Sequence, residues 1–241
     1  MGNRFVITDL HGNYNLFKAI RQEVRNDDIV YCLGDCADRG PEGWRIIKEM
    51  LCDKRFIYLM GNHEKMLIDA MNEYIKYDEC IGDKAYLLFS NGGETTFYRW
   101  LAESDENRIG WLNELKKLPY IIEVQNKQGF NCILSHAGMT PHRDERSGEL
   151  IVPLEDRLIW DREHIYDGLN MDGWAWDEND MIIHGHTPTV YLASDIAEPT
   201  PEAGAFYYCH GHKICLDMLS AYTNMVVMFN LHTYEELILE V

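Results

Sequence analysis

Five short polar segments of the sequence each follow an apolar run directly, and each contains a glycine together with Asp, Asn or His. They begin at Asp9, Gly34, Gly61, Ser135 and His184. Carboxylates, imidazoles and an amide oxygen, with no cysteine among the candidate ligands, suit divalent ions such as Mn²⁺, Fe²⁺ or Zn²⁺. Five such segments together predict a metal site rather than five unrelated surface turns.

The same residue types point to a particular reaction. A carboxylate between two ligand clusters can bridge two ions about 3.5–4 Å apart, the spacing used for in-line displacement at phosphorus. Water held between such ions loses its proton readily and becomes a hydroxide nucleophile at neutral pH. Arg39 adds a planar guanidinium that matches phosphate oxygens, which a lysine cannot do. Since the segments place no Ser, Cys or His as a nucleophile, they predict a metal-dependent phosphoesterase that forms no phosphoenzyme.

Each segment on its own has a plainer interpretation. Asn62 and Glu64 are also what the start of a helix requires, as a capping residue and a first-turn acid. Asp38 and Arg39 alone are typical of a solvated loop, and Asp9 alone is typical of a turn. The repetition of the pattern at five strand ends favours the functional interpretation.

The apolar runs predict strands at 4–8, 28–33, 55–60, 130–134 and 181–183. Helical patterns separate the first three strands: 14–24 places its apolar residues on one face, and a helix over 41–52 would begin with Pro41. This order of strand, turn, helix and strand is typical of a parallel or mixed sheet with functional loops at the carboxyl ends of its strands. The polar segments are therefore expected to meet at one edge.

The remaining sequence completes an α/β (α+β) fold class. The stretch 64–118 is mostly helical in pattern, with Gly92-Gly93 as an interruption, and we expect this helical excursion to shape the rim of the site. Strands are predicted at 213–217, 225–231 and 236–240. We expect a single domain over residues 1–241, in which two mixed sheets pack between helices.

In chain order the five segments read Asp9-Leu-His11-Gly, Gly34-Asp35-x-x-Asp38-Arg39-Gly40, Gly61-Asn62-His63-Glu64, Ser135-His136-Ala-Gly and Gly185-His186-Thr-Pro. In this order and spacing they resemble the motifs of the calcineurin-like metallophosphoesterases. They are most similar to the phosphoprotein-phosphatase branch, with its bacterial and bacteriophage lambda-type serine/threonine protein phosphatases and its symmetrical diadenosine tetraphosphatases. The resemblance covers residues 9–188 and implies a four-layer αββα sandwich, in which two mixed β-sheets are flanked by helices.

The resemblance implies six metal ligands. They are Asp9, His11, Asp35, Asn62, His136 and His186. The first two would hold one ion, Asp35 would bridge to the second ion, and the remaining three would complete the second site. The implied cofactors are two divalent metal ions, with Mn²⁺ expected first and Fe or Zn as alternatives.

The resemblance also implies the catalytic and phosphate-binding residues. His63 would be the general acid that protonates the leaving oxygen, and Asp38 would hold it and raise its proton affinity. Arg39, Asn62 and Arg162 would bind the substrate phosphate. Arg162 is included because the Trp-x-Arg pattern that ends there resembles a phosphate-binding segment of the family.

The last motif contains two candidate ligands, His184 and His186. Side chains two positions apart share one face of a strand, so the spacing alone does not choose between them. His186 is preferred because it occupies the histidine position of the Gly-His-Thr-Pro pattern.

Two segments depart from the family pattern, and a third is of interest for its aromatic residues. Thr8 stands where the family usually has glycine before the first aspartate, which leaves the ligands intact. The segment 216–221 differs from the Asp-Thr-Gly-Ala pattern of the lambda-like relatives, so no substrate contact is predicted there. Trp174 and Trp176 are interpreted as core or rim aromatics that could line the cleft.

Composition narrows the classes of partner. The 241 residues include 40 Asp and Glu against 22 Lys and Arg, for a net charge of −18. This balance argues against binding nucleic acid or an anionic membrane, both of which need clustered cations. No signal peptide or membrane-spanning run is visible, and the odd number of scattered cysteines, 7, suggests reduced thiols in a cytoplasmic protein.

We therefore expect hydrolysis of phosphoserine and phosphothreonine in proteins by direct attack of a dimetal-bound hydroxide. Diadenosine tetraphosphate, or a related dinucleoside polyphosphate, is the alternative substrate. The alternative from another class is a catalytically silent metal-binding scaffold. The expected partner is thus a phosphoprotein or a small phosphorylated substrate.

Overall fold

The computed structural model describes residues 2–77, 82–144, 146–166, 179–196 and 203–241. The first sheet has the order β10-β9-β1-β2-β3. Its strands are β1 (Arg4–Ile7), β2 (Ile29–Cys32), β3 (Phe56–Tyr58), β9 (Met225–Asn230) and β10 (Glu236–Glu240). The first three run parallel, while β9 pairs antiparallel with both β1 and β10. The carboxyl ends of β1, β2 and β3 therefore lie at one edge.

The second sheet has the order β4-β5-β6-β8-β7. Its strands are β4 (Ile121–Gln125), β5 (Asn131–Ser135), β6 (Asp180–His184), β7 (Phe206–Tyr208) and β8 (Lys213–Cys215). The central strands β5, β6 and β8 are parallel, and the two outer strands are antiparallel to their neighbours. Both sheets are thus mixed, as predicted.

The two sheets share one apolar layer. Val6 of β1 packs in this layer with Leu134 of β5 and Ile183 of β6, whereas Ile7 of β1 faces the opposite side of its sheet. This alternation is what the two-residue period of a strand requires. The shared layer supports the proposal that the chain forms one domain.

Helices cover the outer faces of both sheets. They are α1 (Tyr14–Glu23), α2 (Gly43–Cys52), α3 (Asn62–Tyr77), α4 (Asp83–Ser90), α5 (Glu94–Leu101), α6 (Asp105–Leu115), α7 (Glu155–Trp160), α8 (Thr189–Asp195) and α9 (Ser220–Thr223). The first six contribute to the core on the outer side of the first sheet, and α7 and α8 pack on the second. The predicted arrangement of two mixed sheets flanked by helices is confirmed.

The structure differs from the predicted elements at a few places. The helix expected to begin at Pro41 begins at Gly43, so the proline lies before the first turn. The short strands β4 and β7 and the helices α7, α8 and α9 were not predicted. None of the described helices combines the length and apolar character needed to cross a membrane.

Candidate active site

The polar segments converge where the two sheets meet. Asp9, Asp35 and Asn62 follow β1, β2 and β3 of the first sheet, and His136 and His186 follow β5 and β6 of the second. All five side chains are buried. The carboxyl edges of the two sheets therefore bring together residues that are up to 177 positions apart in the sequence. For example, the backbone N–H of His186 donates a hydrogen bond of 3.1 Å to the carboxylate of Asp9.

Six of the proposed site residues have a left-handed backbone. They are Asp9, His11, Asp35, Asp38, Arg39 and His186, with φ between 43° and 66°. This conformation costs about 1–2 kcal/mol per non-glycine residue. Because the described part has 11 such non-glycine residues, more than half of this strain is concentrated in the proposed site. Strain of this kind typically persists where function needs a particular side-chain placement.

Two motif glycines allow backbone to approach the ligand carboxylates. A Cβ atom on Gly61 would lie 2.3 Å from Oδ1 of Asp35, and one on Gly185 would lie 2.1 Å from Oδ2 of Asp9. Both distances are far inside van der Waals contact. Glycine at these positions is thus explained by the closeness of the neighbouring loop.

Four ligand-type side chains form the first cluster. Oδ1 of Asn62 lies 2.8 Å from Nε2 of His136 and 3.0 Å from Nδ1 of His186. Nε2 of His136 is 3.4 Å from Oδ2 of Asp35. Neighbouring ligand atoms on an octahedral ion with bonds of about 2.1 Å are about 3.0 Å apart. These nitrogen and oxygen atoms therefore fit a divalent ion.

A second cluster shares the carboxylate of Asp35. Nε2 of His11 lies 3.8 Å from Oδ1 of Asp9 and 3.8 Å from Oδ2 of Asp35. These separations fall within the range of about 3.0–4.2 Å expected between ligands of one octahedral ion. Oδ2 of Asp35 also belongs to the first cluster, so this carboxylate is common to both clusters.

Backbone carbonyls orient two of the imidazoles. Nδ1 of His11 donates to the carbonyl of Ala37 at 3.2 Å, and Nδ1 of His136 donates to that of Leu33 at 2.9 Å. With Nδ1 protonated in each ring, Nε2 is left as the electron-pair donor that a metal needs. Burial, and then the charge of His63, hold the pKa of His11 well below its ordinary value, which also favours the neutral ligand form.

The structure distinguishes His186 from His184. Nδ1 of His184 lies 3.0 Å from the carbonyl of Gly185, and its Nε2 lies 2.8 Å from the hydroxyl of Tyr208. Burial lowers the pKa of His184 to about 3, so that the ring is neutral and both nitrogens are used away from the clusters. His186 instead contacts Asn62, in agreement with its preferred role as ligand.

His63 lies above the shared carboxylate and is held by Asp38. Its backbone N–H donates to Oδ1 of Asp35 at 3.0 Å, and its Nδ1 lies 2.8 Å from Oδ2 of Asp38. Burial alone lowers the pKa of His63, but the charge of Asp35 and the hydrogen bond to Asp38 outweigh it and raise the value to about 9. A protonated ring at neutral pH is suited to donate a proton from Nε2.

Distance alone would also allow His63 to be a ligand. Its Nε2 lies 3.8 Å from Oδ2 of Asp35, and His11, Asp35 and His63 form one of two ligand-type groups of His and Asp in the described residues. The other group is Asp9, Asp35 and His136. Asp38 holds Nδ1 of His63 at 2.8 Å and so orients the ring, and this contact favours the acid role for His63.

A cavity of about 830 Å³ lies beside the clusters. Its lining includes Arg39, Arg162, His186 and Asp217. Nη2 of Arg39 is 3.3 Å from Nε2 of His63, and Nε of Arg162 donates to the hydroxyl of Thr187 at 3.2 Å. The two predicted phosphate-binding arginines are thus brought to the same cavity, with His63 beside one of them.

Sequence reasoning missed the role of Glu64. Its side chain is buried and accepts five hydrogen bonds, from the backbone N–H groups of Asp35, Cys36, Ala37 and Gly61 and from the hydroxyl of Tyr58, at 2.6–3.2 Å. The interpretation as a first-turn acid described its helix but not these partners. The carboxylate fixes the loop that carries Asp35.

Two further residues near the ligands were not predicted as functional. The hydroxyl of Thr8 donates to Oδ2 of Asp9 at 2.5 Å, so the residue that replaces a glycine binds a ligand carboxylate. Asp217 lies in the segment from which no contact was predicted, yet it is buried and lines the cavity. Burial, and then the charge of Asp9, raise the pKa of Asp217 well above its ordinary value.

Other predictions concern residues away from the clusters. Trp174 and Trp176 lie outside the described residues. The six cysteines in the described part form no disulfide with one another. His164, which matched no motif, is buried, and its Nε2 lies 2.5 Å from the carbonyl of Ala137.

Comparison with known proteins identifies the family. Residues 4–190 match the calcineurin-like phosphoesterase family. Because this match covers well over half of the 241 residues, the chain belongs to that family. It is therefore a metallophosphoesterase, and the resemblance stated from the motifs is confirmed.

Proteins that are named for different activities are similar to this chain. The chain is 27% identical over 185 residues to serine/threonine-protein phosphatase 2 of Escherichia coli (strain K12), covering 76% of this chain and 78% of the relative. It is 28% identical over 188 residues to the symmetrical bis(5'-nucleosyl)-tetraphosphatase of Buchnera aphidicola subsp. Acyrthosiphon pisum (strain 5A), covering 73% and 61%. A solved protein serine/threonine phosphatase from Saccharomyces cerevisiae shares the fold, with a TM-score of 0.58 at 12% identity over 100% of this chain and 80% of that one.

Proposed function

We propose that this chain hydrolyses phosphoserine and phosphothreonine in proteins with the help of two divalent ions, Mn²⁺ first among them. The observation that carries the proposal is the cavity beside the ligand clusters. Among its described lining residues, Arg39 and Arg162 are the cationic side chains. Two guanidinium groups suit the dianion of a phosphomonoester, to which each can donate a pair of hydrogen bonds.

Two cationic side chains in the cavity are too few to match the charge of a polyphosphate chain. A dinucleoside tetraphosphate brings four phosphoryl groups into the site, and the described lining of the cavity offers no lysine and no third arginine for them. Its remaining wall includes Pro188, Tyr191 and Tyr222, which are uncharged. A polypeptide that carries a single phosphoryl group matches this distribution better.

The named relatives include both activities at similar coverage, since the chain covers 78% of the Escherichia coli phosphatase and 77% of an asymmetrical bis(5'-nucleosyl)-tetraphosphatase of Oceanobacillus iheyensis. The choice of substrate therefore rests on the cavity. The dinucleoside polyphosphate remains the alternative substrate that the experiment below must include.

We propose that Asp9, His11 and Asp35 hold one ion, and that Asp35, Asn62, His136 and His186 hold the other. The convergent nitrogen and oxygen atoms fit such ions, and the absence of sulfur ligands agrees with Mn²⁺. Two bound ions would lower the pKa of water and neutralise charge on the phosphoryl group.

The remaining side chains bind the phosphoryl group and supply the proton for the leaving oxygen. Arg39 and Arg162 bind and orient the phosphoryl oxygens, and the amide of Asn62 lies close enough to the cluster to contribute a further contact. Nε2 of His63 gives its proton to the leaving seryl or threonyl oxygen, while Asp38 keeps the ring oriented through Nδ1. Nη2 of Arg39 lies 3.3 Å from Nε2 of His63, so the phosphate-binding guanidinium and the proton donor are neighbours.

The proposal is tested with purified protein loaded with Mn²⁺. A phosphothreonine peptide, diadenosine tetraphosphate and a chromogenic phosphate ester are assayed side by side, with Asp35→Asn as the inactive control. Efficient hydrolysis of the peptide supports the proposal. Efficient hydrolysis of the dinucleotide with negligible turnover of the peptide would replace it by the alternative substrate, and no hydrolysis of any compound would favour the silent scaffold.

A further inference from the structure

One wall of the cavity is apolar and exposed. Tyr191 of α8 and Tyr222 of α9 line it together with Leu219, on the same cavity that contains Arg39 and Arg162. The two tyrosines are 57% and 72% exposed, so they do not serve as core residues. Large exposed aromatic side chains next to a polar site are typical of ligand contact.

Leu219 has an unusual backbone for its residue type. Its φ is 59° and its ψ is 43°, the left-handed region that a leucine rarely adopts. At the other end of α9 the same conformation is taken by Asn224, whose residue type tolerates it. In α9, the residue type that tolerates the left-handed conformation, Asn224, thus lies at the end away from this cavity. The residue type that does not tolerate it, Leu219, lies at the end that lines the cavity.

Hydrogen bonds hold Leu219 in this conformation. Its N–H donates to Oδ1 of Asp217 at 2.8 Å, and its carbonyl accepts from the N–H groups of Tyr222 at 2.9 Å and Thr223 at 3.1 Å. Any residue at this position would make these backbone contacts, so they do not explain why it is leucine. Strain that the surroundings maintain at a cavity is an indication of function.

Resting on the proposed function, we propose that Leu219, Tyr191 and Tyr222 bind an apolar side chain adjacent to the phosphorylated residue of the protein substrate. The wall lines the same cavity as Arg39 and Arg162, so a side chain next to the phosphorylated residue is the occupant that the proposed function brings to it. A volume of about 830 Å³ is that of a site for a much larger ligand than phosphate.

The test compares two phosphothreonine peptides that differ only in the residue beside the phosphothreonine, leucine in one and glycine in the other. Both flanking positions are examined. The wild-type protein is expected to prefer the leucine peptide by about tenfold in kcat/KM, because the leucine side chain is removed from water against the wall. In Leu219→Asn this preference is expected to fall towards one.

Leu219→Asn also reports on the strain. Asparagine adopts the left-handed conformation more readily than leucine, so the melting temperature is expected to stay level or to rise by a few degrees. A fall of more than about 4 °C would show that the leucine supports the core and would overturn the inference. Tyr222→Ala, at a mostly exposed position, gives a second variant in which the preference should shrink without unfolding.

Leu237→Asn is the matched control, because Leu237 is a partly exposed leucine of the edge strand β10 and does not line the cavity. It should keep the wild-type preference. Equal turnover of both peptides by the wild-type protein, or an unchanged preference in both Leu219→Asn and Tyr222→Ala, overturns the inference alone. Hydrolysis of a chromogenic ester without turnover of either peptide would instead refute the proposed function, and the inference with it.

Discussion

Replacing Glu64 by glutamine should show how strongly the loop of the shared carboxylate depends on one buried acid. Oε2 of Glu64 accepts from the N–H groups of Asp35 and Gly61, at 2.7 and 3.1 Å. Oε1 accepts from the N–H groups of Cys36 and Ala37 and from the hydroxyl of Tyr58, at 2.6–3.2 Å. A carboxylate has only acceptors, and all five of its partners are donors.

Glutamine keeps one acceptor oxygen and presents an amide donor in place of the other. If its oxygen faces the three donors around Oε1, its amide meets the N–H groups of Asp35 and Gly61. A buried donor left without an acceptor costs about 1–3 kcal/mol, so two of them cost about 2–6 kcal/mol. We therefore expect Glu64→Gln to lower the free energy of unfolding by about that amount and to lower activity through displacement of Asp35.

Urea unfolding followed by fluorescence measures the change in stability, and steady-state kinetics with Mn²⁺ measures the change in activity. Glu49→Gln is the matched control, since Glu49 makes partly exposed contacts with Arg21 and Arg45. Such pairs contribute at most about 1 kcal/mol. A Glu64→Gln protein that loses less than about 1 kcal/mol, no more than the control, would refute the reasoning about its five donors.

Three further variants test the catalytic assignments. His63→Asn should retain bound metal but lower kcat by about 10²–10⁴-fold, as elemental analysis and kinetics on one preparation would show. In Asp38→Asn the decrease of kcat at alkaline pH should move to lower pH. The hydrogen bond to Asp38 raises the pKa of His63, and His63 loses its proton as the pH rises through that pKa. An unchanged pH profile of kcat would contradict this assignment. Arg162→Ala should weaken inhibition by inorganic phosphate about tenfold or more, whereas Arg157→Ala, at a side chain that is 61% exposed, should not.

The proposed metal ligands could be grouped from the sequence because their signal is local. Each ligand follows an apolar strand within a few residues, and parallel strands of one sheet end at a common edge. Residue chemistry and order were therefore enough to group Asp9, Asp35 and Asn62 before any distance was available. Which of His184 and His186 faces the cluster required the structure, since it depends on the left-handed turn at His186.

The missed elements have weak local patterns. β4 lies at a sheet edge and has no fully buried residue, and β7 has only three residues. Their pairing with β5 and β8 is a tertiary contact, which a short run of residue types does not reveal.

The missed site residues depend on burial and long-range contact in the same way. In the sequence, Glu64 has the position of an ordinary first-turn acid. Four of its five donors come from earlier segments of the chain, at residues 35–37 and at Tyr58, and these contacts are visible only in the structure. Asp217 belongs to a segment that departs from the family pattern, so that its placement beside Arg39 in the cavity was not foreseen. A buried carboxylate beside metal-ligand loops is the structural signal that identifies both residues.

The central claim is that Asp35 bridges two ions between the two sheets. Anomalous diffraction from crystals of Mn²⁺-loaded protein tests it most directly. We predict two anomalous peaks about 3.5–4 Å apart on either side of the Asp35 carboxylate, one beside Asp9 and His11 and the other beside His136 and His186. A single peak, or peaks that do not contact Asp35, would contradict the account.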